Sequence, residues 1–190
     1  MIAHDAIDIV LRRVRDPDGT AHSRDFVRAE LSVCQNLGNL SFAWVTEDID
    51  FLVKPYHVIY APLSDLAPRA GRVVSVRSQT GAIPFTDWLL FTYSVPTWLR
   101  RVGTQIEHWS YIGRDALMLW PALRRSETVT LTCASLFPAI GGEGNTLDIP
   151  DQYVPHVLDL CELHLLTRQR ASDDVWNAAA GKALEREDQI

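Results

Sequence analysis

"LDIPDQYVPHVLDLCELHLLTRQR", Leu147 to Arg170, decides how this chain folds. Pro150 suits the start of a helix, because its missing N–H costs nothing there and its fixed φ is already helical. Asp148 and Asp151 set carboxylates beside the positive end of the helix dipole. Beyond them Val154, Val157, Leu158, Cys161 and Leu165 recur at helical spacing, and Leu160 and Leu163 widen the stripe. So wide an apolar girth calls for contacts on more than one side. The stretch holds packing instructions and no catalytic motif.

Working outward from this helix, three segments separate. Residues 1–49 read as helical. Ile2, Ala6, Ile9, Val10 and Arg13 or Val14 follow a first helix, which the turn formers of "RDPDGT" (15–20) stop. Ser23 is placed to cap a second helix, with Asp25 in its first turn. Val27, Leu31, Cys34 and Leu37 to Leu40 give that helix a buried stripe, and Gly38 argues against an unbroken run to Trp44.

Residues 50–146 read as strands. "YHVIYAP" (56–62) alternates Tyr56, Val58 and Tyr60 against His57 and Ile59, and Pro62 ends it. "GRVVSVRS" (71–78) is a short strand. "HWSYIGRDALMLWP" (108–121) predicts a hairpin turning at Gly113, Arg114 and Asp115. "TVTLTCA" (128–134) has the cleanest period of two, with Thr128, Thr130 and Thr132 opposite Val129, Leu131 and Cys133. Residues 147–190 return to helix, with Ser172 as a cap for a last segment from Val175 to about Glu187. The fold class expected is α+β: a helical bundle of N- and C-terminal helices with an inserted antiparallel β-domain.

Composition narrows the function. The chain has 190 residues, 47% hydrophobic and 22% charged, enough for one core or a core with an insert. A net charge of -6 argues against a generic electrostatic grip on nucleic acid. Lys54 and Lys182 are the only lysines, and arginine forks suit fixed, partly buried ion pairs. Cys34, Cys133 and Cys161 lie far apart in apolar surroundings, so neither a disulfide framework nor a zinc knuckle is expected. "MIAHDAIDIVLRR" is no signal peptide, no stretch reaches the ~18 apolar residues of a membrane span, and a soluble cytoplasmic product is expected.

The polar residues offer little chemistry. His4, His22, His57, His108, His156 and His164 form no HExxH or His-x3-His pattern; His156, Cys161 and His164 are at most a loose metal constellation. No GxSxG elbow supports a serine hydrolase. "GGEGN" (141–145) lacks the GK[ST] ending of a phosphate loop and reads as a flexible turn. Glu47, Asp48 and Asp50 read as a solvated loop. No catalytic residue, cofactor or metal is therefore expected. Trp88, Trp98, Trp109 and Trp120, with Tyr93 and Tyr111 between them, are the tempting constellation: a candidate aromatic surface for sugars, or a small core or subunit interface.

The arrangement resembles the head-to-tail adaptor (connector, or head-completion) proteins of short-tailed bacteriophages. The resemblance rests on a helix followed by Asp16 to Gly19, Ser23 and a second helix; on "YHVIYAP"; on "LMLWPAL", Leu117 to Leu123; and most specifically on Leu147, Ile149, Pro150, Asp151, Tyr153 and Leu158. Of the polar stretch that such proteins carry in the second helix, only Gln35 and Asn36 remain, and 81–105 matches nothing in the family. The resemblance implies a non-enzymatic virion protein made in a bacterial cytoplasm. In the neck it forms a ring of about twelve copies between the portal protein and the tail nozzle or hub. Double-stranded DNA passes through such a ring without specific binding, and negative charge around the bore keeps phosphates from sticking. The charged tail, Asp173 to Ile190, is expected to order on docking the portal or a neighbour. The competing readings are a carbohydrate-binding or tail-associated β-module and a small hydrolase with an unrecognised Cys or His site.

Overall fold

The computed structural model describes residues 1–61, 70–95, 97–112 and 116–168. Pro62, the turn residues Gly113 to Asp115, the Ser172 cap, the helix from Val175 and the tail from Asp173 lie outside them. The fold is α+β and divides into two compact units, Met1–Val45 with the chain from Leu136, and Thr46–Ser135. The divisions fall at 45/46 and 135/136 and not at 49/50 and 146/147: Glu47, Asp48 and Asp50 belong to a strand of the second unit, while Phe137 and Ile140 pack in the core of the first.

In the first unit α1 (Ala3–Arg13) and α2 (Arg24–Phe42) precede, and α4 (Val154–Arg168) follows, the excursion of the chain into the second unit. The three share one core. α1 contributes Ala3, Ala6, Ile7, Val10 and Leu11, a phase that leaves Ile2 45% exposed at the N-cap instead of in the stripe. The turn after α1 is organised by Asp16. Its carboxylate accepts from the Thr20 N–H and hydroxyl and from the Ala21 and His22 N–H groups at 2.7–3.0 Å. Ser23 caps α2 as expected, accepting from Phe26 N at 3.2 Å.

α2 runs through Gly38 to Phe42, contrary to the expected break. Gly38 is there for space: a Cβ would fall against the Trp44 ring, 2.5 Å from Cζ3. The helix ends at Ala43, whose φ of 53° is left-handed, and the Asn39 side chain bonds both N–H and C=O of Val45.

α4 is preceded by a 3-10 turn, Asp151–Tyr153, with Pro150 before it. Its buried residues run almost all round: Val154, Val157, Leu158, Cys161, Leu165 and Leu166, with Asp159 and Glu162 beside them. Arg13 Nη1 reaches one oxygen of each buried carboxylate, at 2.6 and 3.5 Å.

In the second unit β1 (Thr46–Val53), β9 (Glu127–Ser135), β3 (Ala70–Ser78) and β4 (Gly81–Ile83) form an antiparallel sheet in that order. Val129, Leu131 and Cys133 of β9 face inward and the threonines alternate outward, as the period of two predicts. The acidic run 47–50 pairs with β9, so it is no loop. Asp48 and Asp50 accept from the hydroxyls of Thr132 and Thr130 at 2.6 and 3.2 Å, and Arg77 reaches Asp48 at 2.7 Å. An acidic strand is thus stabilised by the polar face of its neighbours. β2 (Ile59–Tyr60), β7 (Ala116–Trp120) and β6 (His108–Ile112) make a second sheet, in which β6 and β7 pair antiparallel from Ile112↔Ala116 to His108↔Trp120. β5 (Val102–Gly103) and β8 (Ala122–Leu123) form a short parallel pair. Among the described residues α3 (Trp88–Ser94) and a 3-10 turn at Trp98–Arg100 interrupt this β-rich unit.

Candidate functional site

The region around α3 holds most of the aromatic series. Asp87 caps the helix, its carboxylate accepting from Leu89 and Leu90 N–H at 2.9 and 3.2 Å. Phe91 points inward and meets Trp120 edge to face at 4.8 Å, in a core with Val58, Met118 and Ala122. Trp88 and Trp98 pack on that core and meet at 4.8 Å with their planes 89° apart. Trp120 Nε1 donates to the Trp98 carbonyl at 2.7 Å. Arg101 lies 4.6 Å over the Trp120 ring and pairs with Glu107 at 2.8 Å.

The candidate aromatic surface is therefore largely a core. Trp109 and Trp120 are 4% and 2% exposed, and Trp88 and Trp98 are half-buried against one another. Buried Trp109 and Trp120 present no open face for a sugar to stack on. Of the constellation Tyr93 is left largely at the surface, beside apolar residues that the series does not include. Leu89, Leu90 and Tyr93 are 64%, 68% and 85% exposed, and Leu99 and Phe85 are 62% and 55% exposed. A signal for them exists in the sequence. "DWLLFTYS" (87–94) has a capping aspartate and then apolar residues on both sides of a single short helix, more than one core can cover.

The 147–158 motif is structural. Leu147, Ile149 and Leu158 belong to the helical unit's core. Tyr153 stacks on Trp44 at 4.9 Å and 7°, and His156 stacks on the same ring at 5.6 Å. Pro150 and Asp151 are exposed at the turn that starts α4. His164 instead faces Glu30 at 3.3 Å, so His156 and His164 have separate partners. Among the described residues no group of three His, Cys, Asp or Glu is placed to hold a metal ion.

"GGEGN" proves to be an anchored cap and not a flexible turn. The Asn145 and Glu143 carbonyls accept from Ala3 and His4 N–H at 2.7 and 2.9 Å, satisfying donors that the start of α1 leaves open. The Glu143 carboxylate takes two bonds from Arg24, at 2.8 and 3.0 Å, and one contact from His4 at 2.8 Å. The Arg24 bonds, followed by the His4 bond, hold the Glu143 carboxyl down at about 2. The other ring nitrogen of His4 faces Asp8 at 3.5 Å, so this imidazole ties carboxylates together.

The thiols are packed. Contact with Cys34 and then burial push the Cys161 thiol well above its ordinary range, and burial, with Glu47 and Asp48 nearby, pushes Cys133 up to about 11. Neither is poised as a thiolate nucleophile. Among the described residues no helix is long and apolar enough to cross a membrane. No protein-family model matches the chain, and no curated protein matches it.

Proposed function

We propose that this chain is a structural assembly protein, a ring-forming head-to-tail adaptor between a phage portal and the tail nozzle. One observation carries the reading of an assembly protein: a firmly anchored helix offers Leu89, Leu90 and Tyr93 to solvent at 64–85% exposure. A soluble chain keeps so large a contiguous apolar face for a protein partner. The adaptor class rests on the resemblance carried by Asp16 to Gly19, "YHVIYAP", "LMLWPAL" and the 147–158 motif. The chain's net charge of -6, with Asp48 and Asp50 on the outer face of a sheet, suits a bore that DNA slides through without adhering.

The wide stripe of the C-terminal helix does not supply the ring contact in this reading. α1 and α2 use it up inside the subunit, so the neighbour is met elsewhere. The carbohydrate-binding alternative needs open tryptophan faces, and the burial of Trp109 and Trp120 leaves half-buried Trp88 and Trp98 to supply them.

The test is the copy number of the chain in purified virus particles, measured by quantitative mass spectrometry against the portal protein. A ratio near one supports the adaptor ring. Absence from particles, or a ratio far from one, overturns it.

A further inference from the structure

We infer that the cleft between the β3–β4 turn and residues 123–128 is a binding site for a small sugar phosphate, with Arg124 and Arg125 taking the phosphate. The inference goes beyond the ring reading and does not depend on it.

The cleft encloses about 660 Å³, within the range of small-ligand sites. Its walls belong to fixed elements of one unit. The short parallel pair sets Gly103 beside Leu123, and Thr104 and Arg124 follow them into the lining. The Tyr56 N–H donates to the Leu123 carbonyl at 2.8 Å and holds the chain just before the arginines. Beyond them Glu127 pairs with Val53 at the start of β9. Gln79 comes from the β3–β4 turn, where the Thr80 N–H donates to Ser78 Oγ at 3.2 Å. Groups held in this way lose little freedom when a ligand arrives.

The arginines carry the inference. Arg13, Arg24, Arg77 and Arg101 are each spent on a carboxylate. Arg124 and Arg125 are exposed in the cleft. Among the described residues neither forms an ion pair, although Glu127 lines the same cleft. A guanidinium fork matches the oxygens of a phosphate two at a time, and such charge-assisted bonds are about twice as strong as neutral ones. Two neighbouring unpaired forks suit a phosphate monoester.

The rest of the lining indicates what that phosphate is attached to. Thr104, Ser126 and Thr128 offer hydroxyls, and Gln79 offers an amide. Leu123 is the one apolar side chain among the described lining residues, and it is buried. A nucleobase or an acyl chain needs an aromatic or apolar platform, which this lining lacks. A body of hydroxyls finds partners throughout. The Glu127 carboxylate accepts from sugar hydroxyls and repels a second phosphate.

Nucleic acid shares the sugar and the phosphate but fits less well. Thr128, Thr130 and Thr132 lie on one face of β9, and Asp50 and Asp48 bond to the last two at 3.2 and 2.6 Å. A strand continuing over that face would set its phosphates against carboxylates, on a chain of net charge -6.

Isothermal titration of the full-length chain with ribose 5-phosphate, glucose 6-phosphate and fructose 6-phosphate tests this directly. At least one should bind with a dissociation constant below about 1 mM. It should bind at least tenfold more tightly than inorganic phosphate or the free sugar. Arg124→Met/Arg125→Met should weaken that binding at least tenfold with unchanged circular dichroism. Arg100→Met, at an exposed arginine outside the cleft, should leave it intact. Failure of all three sugar phosphates to bind at about 10 mM overturns the inference. Equal affinity for inorganic phosphate means an adventitious ion only and overturns it too, as does binding that the double methionine variant retains or that Arg100→Met removes. A short DNA single strand that binds more tightly than every sugar phosphate, and is lost in the double variant, would make nucleic acid the ligand and would also overturn it.

Discussion

Replacing Gly38 with alanine sets two known effects against each other. In a helix interior the change should stabilise by about 0.8–1.0 kcal/mol, because glycine loses more backbone freedom on folding. At this position the new methyl group meets the Trp44 indole, 2.5 Å from Cζ3. The ring cannot yield cheaply. It stacks on Tyr153 at 4.9 Å, on His156 at 5.6 Å and on Phe42 at 5.6 Å, each within 13° of parallel. Overpacking costs about 1–3 kcal/mol, and each ring pair that slips forfeits roughly 0.5–1.5 kcal/mol. The net expectation is a loss of about 2 kcal/mol. In a unit of roughly 100 residues that lowers the melting temperature by about 10 °C.

Thermal unfolding followed at 222 nm, with near-ultraviolet dichroism to report on the indole, measures both parts. In a Trp44→Ala background the obstruction is gone, and Gly38→Ala should then stabilise by about 1 kcal/mol. The coupling between the two sites is therefore expected near 3 kcal/mol. A single Gly38→Ala variant as stable as wild type would refute the reasoning, since it would show that the ring moves without loss.

Other perturbations probe separate parts of the fold. Glu143 titrates at about 2 when folded against an ordinary 4.5, so its ion pairs stabilise fully above pH 4.5 and fade as pH falls toward 2. Glu143→Gln should flatten that part of the acid-unfolding curve, and an unchanged curve would count against the Arg24 and His4 anchorage. Arg13→Met removes the cation held 2.6 Å from buried Asp159, and urea unfolding should show a loss of about 3–5 kcal/mol. Cys34, Cys133 and Cys161 are buried, so a disulfide-exchange dye at pH 8 should titrate no thiol rapidly in the native protein and three in urea. A rapid native thiol would place one of them at the surface.

Several elements were legible because their signals are short-range. Ser23 caps α2 through a bond three residues away, and the alternation of 128–134 needs only the pleat of one strand. The girth of the C-terminal helix was likewise visible in its own residues. Local hydrogen bonds and periodicity are written within a few positions, so the chain alone determines them.

What tertiary structure decided depends on partners far along the chain. Glu47, Asp48 and Asp50 look like a loop until Thr130 and Thr132 stand opposite them, about eighty residues later. Gly38 looks like a helix breaker until Trp44 folds back over it. Arg13 reaches Asp159 across 146 positions, and that pairing lets α4 bury a carboxylate inside an otherwise apolar girth. The tryptophans were obvious as residues, but which faces they hide follows from how α3 packs on β6 and β7. Composition therefore set the chain's acidity, and residue spacing set its packing helix and its strand period. Only three-dimensional placement decided that Trp109 and Trp120 are core and that Leu89, Leu90 and Tyr93 are left at the surface. A side chain's burial is set by whatever packs across from it, and one stretch of sequence does not contain that information.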